Sequence, residues 1–100
     1  AVADTIVEMH VRLEAARLLL YKAAWLLGQG QPAVTAAAVA KLFASQAAVQ
    51  SSLDALRIHG GYGYMTELEL ERGVRDAIGG TLYSGTTEIQ RVLIAAALGL

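Results

Sequence analysis

Three short segments hold residues whose types and order could do chemistry. They are Ile58-His59-Gly60-Gly61-Tyr62-Gly63-Tyr64, Glu71-Arg72-Gly73-Val74-Arg75-Asp76-Ala77 and Tyr83-Ser84-Gly85-Thr86-Thr87-Glu88-Ile89-Gln90-Arg91. Glycines let a backbone approach a bulky ligand closely, and N–H groups left free at a helix start suit a pyrophosphate or another polar edge. Taken singly, each segment also has a plain structural explanation. Glycines after a long helix make a C-cap, Thr86 before an apolar run makes an N-cap, and neighbouring Glu/Arg or Arg/Asp residues make surface ion pairs worth little. His59, at a helix end, suits the last carbonyls better than it suits a general base. Cysteine is absent and the two histidines lie far apart, so neither a disulfide nor a metal site is expected.

Long helices must position these segments. From Ala1 to about Leu27, the residues Ile6, Met9, Leu13, Ala16, Leu20, Ala23 and Leu27 recur at alternating spacings of three and four, one face of an amphipathic helix. Glu8 with Arg12 and Glu14 with Arg17 are spaced for ion pairs on a solvated face. Gly28-Gln29-Gly30-Gln31-Pro32 ends that helix and is short enough to make the next one antiparallel. The second helix is expected from about Pro32 to His59, with Val39, Leu42, Gln46, Val49, Leu53 and Leu56 on its inner face. A turn at Gly60–Tyr64, one short helix within Glu67–Ala77 and a break at Gly79-Gly80 follow. Thr86 then caps a last helix with an apolar stripe of Ile89, Val92, Leu93 and Ala96, and Glu71 and Glu88 sit where they favour helix dipoles. No stretch alternates as a half-buried strand does. The expected fold is all-α, an up-and-down four-helix-bundle-type domain over residues 1–100 with two long antiparallel helices and two shorter ones.

Composition narrows the function classes. Hydrophobic residues make up 55% of the chain and charged ones 17%, with a formal net charge of −1 and no basic block, so nucleic acid is not an expected partner. The most apolar run, Leu18 to Leu27, is broken by Lys22 and too short for a membrane span. A chain that starts in helical periodicity without methionine reads as a piece of a longer protein. A pair of membrane-surface helices fits poorly, because the first helix is apolar on more than one side.

The three segments in this order resemble the end of the acyl-CoA dehydrogenase family. There a histidine-glycine-glycine-aromatic turn, a Glu-Arg then Arg-Asp-Ala segment and a Tyr-x-Gly-Thr-Ser/Thr-Glu-Ile-Gln-Arg stretch occur together. The resemblance covers all 100 residues and implies the C-terminal helical domain of an FAD-dependent oxidoreductase acting on CH–CH groups, its N-terminal α and middle β domains lying outside this chain. It implies a homodimer or homotetramer, an acyl-CoA substrate and an electron acceptor such as an electron-transfer flavoprotein, and the absence of cysteine fits a cytoplasmic setting. The rival from another class is a structural helical module that only supports oligomerisation.

Carried onto this chain, the resemblance makes Arg57, Ile58, His59, Gly60, Gly61, Thr86, Thr87 and Glu88 the FAD-contacting positions, and Tyr83, Ser84 and Gly85 the substrate-lining ones. Arg57 stands where many members have glutamine, and it serves either the diphosphate or an ion pair with Asp54. Tyr62, Tyr64 and Trp25 are expected as core or interface aromatics, and Arg72, Arg75 and Asp76 as an ion-pair network that orients the neighbouring loop.

The family's reaction takes a proton from the carbon alpha to a thioester while a hydride passes from the beta carbon to the flavin. It needs a base with a pKa near working pH, for which a partly desolvated glutamate serves. In many members that glutamate follows the tyrosine of the strip; here the position is Ser84. A serine hydroxyl with no activating neighbour in sequence cannot take that proton. Three explanations stand: a base on an upstream helix, as in isovaleryl-type and long-chain-type members; an altered chemistry or a non-catalytic subunit; or substitution by Glu88, one helical turn further on.

Overall fold

The computed structural model describes all of residues 1–100. Helix α1 runs over Val2–Gly28 and α2 over Val34–Ile58. Next come the single turn α3 (Gly61–Tyr64), a 3-10 turn over Thr66–Leu68, α4 (Leu70–Gly79) and α5 (Thr87–Leu98). There is no strand, so the all-α expectation holds, with two long helices and shorter ones behind them. Arg12 meets Asp54 at one end of the long pair while Ala23 lies beside Ala37 and Ala40 at the other, which makes α1 and α2 antiparallel. The molecule measures 47 × 25 × 25 Å, and its long axis suits a 27-residue helix at about 1.5 Å per residue.

Local chemistry sets the boundaries. Gly30 takes a left-handed φ of 69° to turn the chain after α1, and α2 starts at Val34 with Ala33 as its cap, leaving Pro32 just ahead of the helix. The glycine turn expected at Gly60–Tyr64 closes into one helical turn, because Gly60 at φ 58° redirects the chain back along α2. Gly63 then lies so close to the Leu56 carbonyl that no side chain fits there. Glu69, also left-handed at φ 57°, starts α4, and Thr86 caps α5 through Ile89 N–H donating to its Oγ1 at 3.2 Å.

Helix α2 is the hub on which α1, α4 and α5 pack. Its seam with α1 is built from small residues, Ala37, Ala40, Ala44, Ala47 and Ala48 of α2 among them, and the buried apolar side chains of the molecule are Ala23, Ala38 and Ala40. The face that α1 turns to α2 runs through Met9, Arg12, Ala16, Leu19, Ala23 and Leu26. That is one step round the helix from the stripe expected from the sequence. Met9, Ala16 and Ala23 belong to both, whereas Ile6, Leu13, Leu20 and Leu27 are exposed. The cause is the alanine face of α2, which draws the helix axes together and leaves the larger side chains along the lips of an open apolar groove. Helix α5 departs in the same way. Gln90 is its buried residue, while Ile89, Val92 and Leu93 of the expected stripe face outward. Five buried residues of 100 are few for an apolar chain, and many of its large apolar side chains lie uncovered here.

Candidate functional site

The glycine-bearing strip between α4 and α5 is held from beneath by α2. Lys41 Nζ donates to the carbonyl oxygens of Gly80 (3.1 Å), Tyr83 (2.9 Å) and Gly85 (2.9 Å). Gln90 Nε2 donates to the Gly85 carbonyl at 3.4 Å, and Thr87 N–H donates to the Thr81 carbonyl at 3.1 Å. Thr81 in turn donates its hydroxyl to the Ile78 carbonyl at 2.7 Å, closing the end of α4. Within this frame Ser84 adopts φ 56° and Gly85 φ 94°. A Cβ at Gly85 would come within 2.6 Å of Gln90 Nε2, the movable end of a flexible side chain, so it is chiefly the left-handed φ that calls for glycine here. Tyr83 and Ser84 remain exposed above the frame.

The adjoining start of α5 is partly used up by the same frame. Thr87 N–H goes to Thr81 and Ile89 N–H to the Thr86 hydroxyl, so of these first amides Glu88 alone has its N–H without a partner in the chain. Glu88 itself is exposed in the first turn, where its charge favours the helix dipole.

The helix exit at Arg57–Gly61 is built differently. Asp54, expected as a possible partner of Arg57, is taken by Arg12 of α1 at 2.7 Å and by Gln50 Nε2 at 3.0 Å, while Arg12 also reaches Ser51 Oγ at 3.4 Å. The bond from Arg12 holds the Asp54 carboxyl below its ordinary carboxylate value against the opposing effect of burial, with Gln50 helping. Arg12 is therefore a half-buried interhelical tie rather than part of a solvated Glu8–Arg12 pair, whereas Glu14–Arg17 forms as expected at 3.1 Å. Arg57 is left exposed with no ion pair. His59 Nδ1 lies 2.8 Å from the Ala55 carbonyl, and a carbonyl only accepts, so that nitrogen carries the proton and the ring closes the helix end. A Cβ at Gly60 or Gly61 would meet nothing within 4 Å. The glycines of the exit thus face open space, in contrast to Gly85.

The structure joins Tyr83, Ser84 and Gly85 with Thr86, Thr87 and Glu88, but it keeps the exit apart. Lys41 and Arg57 are 16 residues apart on one helix, roughly 24 Å along its axis. The expected ion-pair network of Arg72, Arg75 and Asp76 reduces to one exposed contact, Arg72–Asp76 at 3.9 Å. Exposure there lets water compete for each charge. Tyr62, Tyr64 and Trp25 are exposed, so none of them is a core residue of this chain. Lys41 and Gln90 are site residues that the sequence reading misses. The available signal was a lone charge in the alanine-rich run Ala36–Ala44, and an amide on a helix face otherwise read as polar surface.

Comparison with known proteins matches this sequence to the family described as acyl-CoA dehydrogenase, C-terminal domain, over residues 1–99. The chain belongs to that family. Among its relatives, the L-prolyl-[peptidyl-carrier protein] dehydrogenase of Pseudomonas fluorescens is 45% identical over 100 residues, which is all of this chain and 26% of that protein. The crystal structure of the prolyl acyl carrier protein oxidase AnaB superposes with a TM-score of 0.96 at 56% identity, covering 99% of this chain and 26% of the other. An FAD complex of PigA superposes with a TM-score of 0.95 at 44% identity over 99% of this chain and 26% of its own. The chain thus spans about a quarter of the length of such relatives. No helix in it is long and apolar enough to cross a membrane.

Proposed function

We propose that this chain is the C-terminal domain of an FAD-dependent enzyme that dehydrogenates a thioester-linked acyl group between its alpha and beta carbons. The observation that carries the reading is the Tyr83-to-Arg91 strip. It is held in one backbone shape by α2, with Tyr83 and Ser84 exposed, in a chain that matches the family's C-terminal domain from end to end. Bound FAD supplies the hydride acceptor. The residues suited to hold it are Arg57 to Gly61 and Thr86 to Glu88. Arg57 is a cation without a partner, Gly60 and Gly61 leave room for close approach, and Glu88 N–H is free to donate. Tyr83, Ser84 and Gly85 line the acyl end of the pocket.

Ser84 does not take the alpha proton. Lys41, the cation beneath it, spends its donors on carbonyls and makes no bond to the Ser84 hydroxyl. Glu88 points from an exposed first turn further along the chain. The base therefore comes from the part of the protein outside residues 1–100. The uncovered apolar lips of α1 and α5 fit a full-length dimer or tetramer, working in the cytoplasm with an electron-transfer flavoprotein as oxidant.

A second reading concerns what carries the thioester. The 56% identity to AnaB and the 45% identity to the Pseudomonas fluorescens enzyme favour a prolyl group on a carrier protein over an acyl-CoA. Anaerobic titration of the full-length protein with prolyl-carrier protein and with a series of acyl-CoAs, followed by flavin absorbance, tests both readings. Bleaching by one of them identifies the carrier. Bound flavin that no thioester reduces contradicts the dehydrogenase and leaves a non-catalytic subunit.

A further inference from the structure

An ammonium group has three N–H donors and accepts nothing. Lys41 directs its Nζ at three carbonyl oxygens, those of Gly80, Tyr83 and Gly85, at 2.9 to 3.1 Å, and all three belong to one six-residue stretch. Turn bonds hold the stretch as far as Tyr83, and Thr87 N–H closes it onto Thr81, but no backbone donor reaches the Tyr83 or Gly85 carbonyl. The stretch begins at the Gly79-Gly80 break and contains Ser84 at φ 56° and Gly85 at φ 94°. A non-glycine residue persists in the left-handed region only where its surroundings over-determine it.

The geometry explains what does so here. The Tyr83 and Gly85 carbonyls lie on either side of the two left-handed residues, Ser84 and Gly85, and converge on the same cation, which pins the backbone at both ends of that pair. With both flanking carbonyls drawn to Nζ, the Ser84 side chain is left exposed. Its direction is thus set by an α2 side chain 43 positions earlier in the sequence. Gln90 reinforces the Gly85 carbonyl, but from 3.4 Å and without charge.

We propose that Lys41 is a positioning residue for the thioester pocket: it touches no substrate, and its ammonium fixes the backbone of Tyr83-Ser84-Gly85 so that the strip meets the acyl group in a single shape. The proposal rests on the reading of that strip as the acyl end of the pocket.

The test uses the full-length flavoprotein with Lys41→Met, which keeps the apolar stem and removes the charge, and Lys41→Ala with added n-propylammonium or, as control, n-propanol. Three readouts are taken: flavin content, hydrogen exchange of the amides at 81–86, and the dissociation constant of a non-reactive thioether analogue of the substrate. Lys41→Met is expected to keep its flavin, to exchange faster at 81–86, and to bind the analogue about tenfold to a hundredfold more weakly, as loss of charge-assisted bonds predicts. Propylammonium, and not propanol, is expected to restore binding to Lys41→Ala. Unchanged exchange at 81–86 overturns the tether. Faster exchange with unchanged analogue binding overturns the pocket assignment instead, and with it the proposal. Loss of flavin and fold in both variants, unrescued by propylammonium, makes Lys41 a support of the whole domain and also overturns it.

Discussion

The strip at residues 80–88 and the helix exit at residues 57–61 are both rich in glycine and both belong to the candidate site, yet they are finished to different degrees. The strip is tied from within: Lys41, Gln90 and Thr87 N–H bond the carbonyls of Gly80, Thr81, Tyr83 and Gly85, the amides of Gly80 to Tyr83 bond back to the end of α4, and Gly85 has a neighbour on its open side. The exit has its helix end closed by His59, but Arg57 has no partner and nothing stands near Gly60 or Gly61. One region carries its own order. The other holds a charge and a space that nothing in the chain fills. A surface that binds a reactive acyl group in one geometry binds better when its backbone is preorganised, while a surface that completes a cofactor site needs only to offer charge and room.

Changes at the two regions should separate along that line. The largest effect is expected from Gly63→Ala, because the added methyl meets the Leu56 backbone carbonyl, which cannot move away without distorting α2. A loss of about 3 kcal/mol in the full-length protein, read from chemical denaturation, is the expected result. Asp54→Asn comes next. The Asp54 pKa is lowered in the folded state, so its ion pair contributes stability above the ordinary carboxylate range, and that contribution fades as pH falls through the folded value. Wild-type protein should thus lose stability from about pH 4 downward at a slope that Asp54→Asn diminishes, checked by melting at a series of pH values. Gly85→Ala should cost about 1 to 2 kcal/mol, since the left-handed φ is strained for alanine but the blocking atom is the end of a flexible glutamine.

Arg57→Gln should act on the other region alone. It is expected to weaken FAD affinity roughly tenfold, the worth of one charge-assisted bond, while the melting point of the flavin-free protein stays put. A fall in apoprotein stability would mean that the exit is as self-supporting as the strip. The smallest change is expected from Ser84→Gly. Relief of the left-handed strain and the greater freedom of glycine when unfolded nearly cancel, leaving a gain of about 0.5 kcal/mol.

Much of this could be read from the residues. Helical periodicity, Gly-Pro punctuation and the Thr86 cap gave the all-α order and nearly every boundary, because those signals are local. The facing of α1 and α5 could not be read the same way. A stripe of large apolar residues marks a surface that something covers, but it does not say whether the cover is α2 or another part of the assembly. Here Ala37, Ala40 and Ala44 decide the seam with α1, and Leu13, Leu20 and Val92 are left exposed. The glycine strip was legible as a candidate pocket wall through its resemblance to a known family. Its tether was not, because Lys41 lies 39 to 44 residues away from the carbonyls it binds. Arg12 and Asp54 were hidden for the same reason: spacing on one helix offered Glu8 and Arg57 as partners, and the fold chose a pair 42 residues apart.

Hydrogen exchange of the full-length protein with and without FAD puts the central contrast to the most direct test. The amides of Thr81, Leu82, Tyr83 and Thr87, each bonded within the chain, should be protected to the same degree in both states, whereas those of residues 57–64 should lose protection when the flavin is removed. Equal loss in the two regions would show that the strip owes its order to the cofactor rather than to Lys41, and would contradict the account.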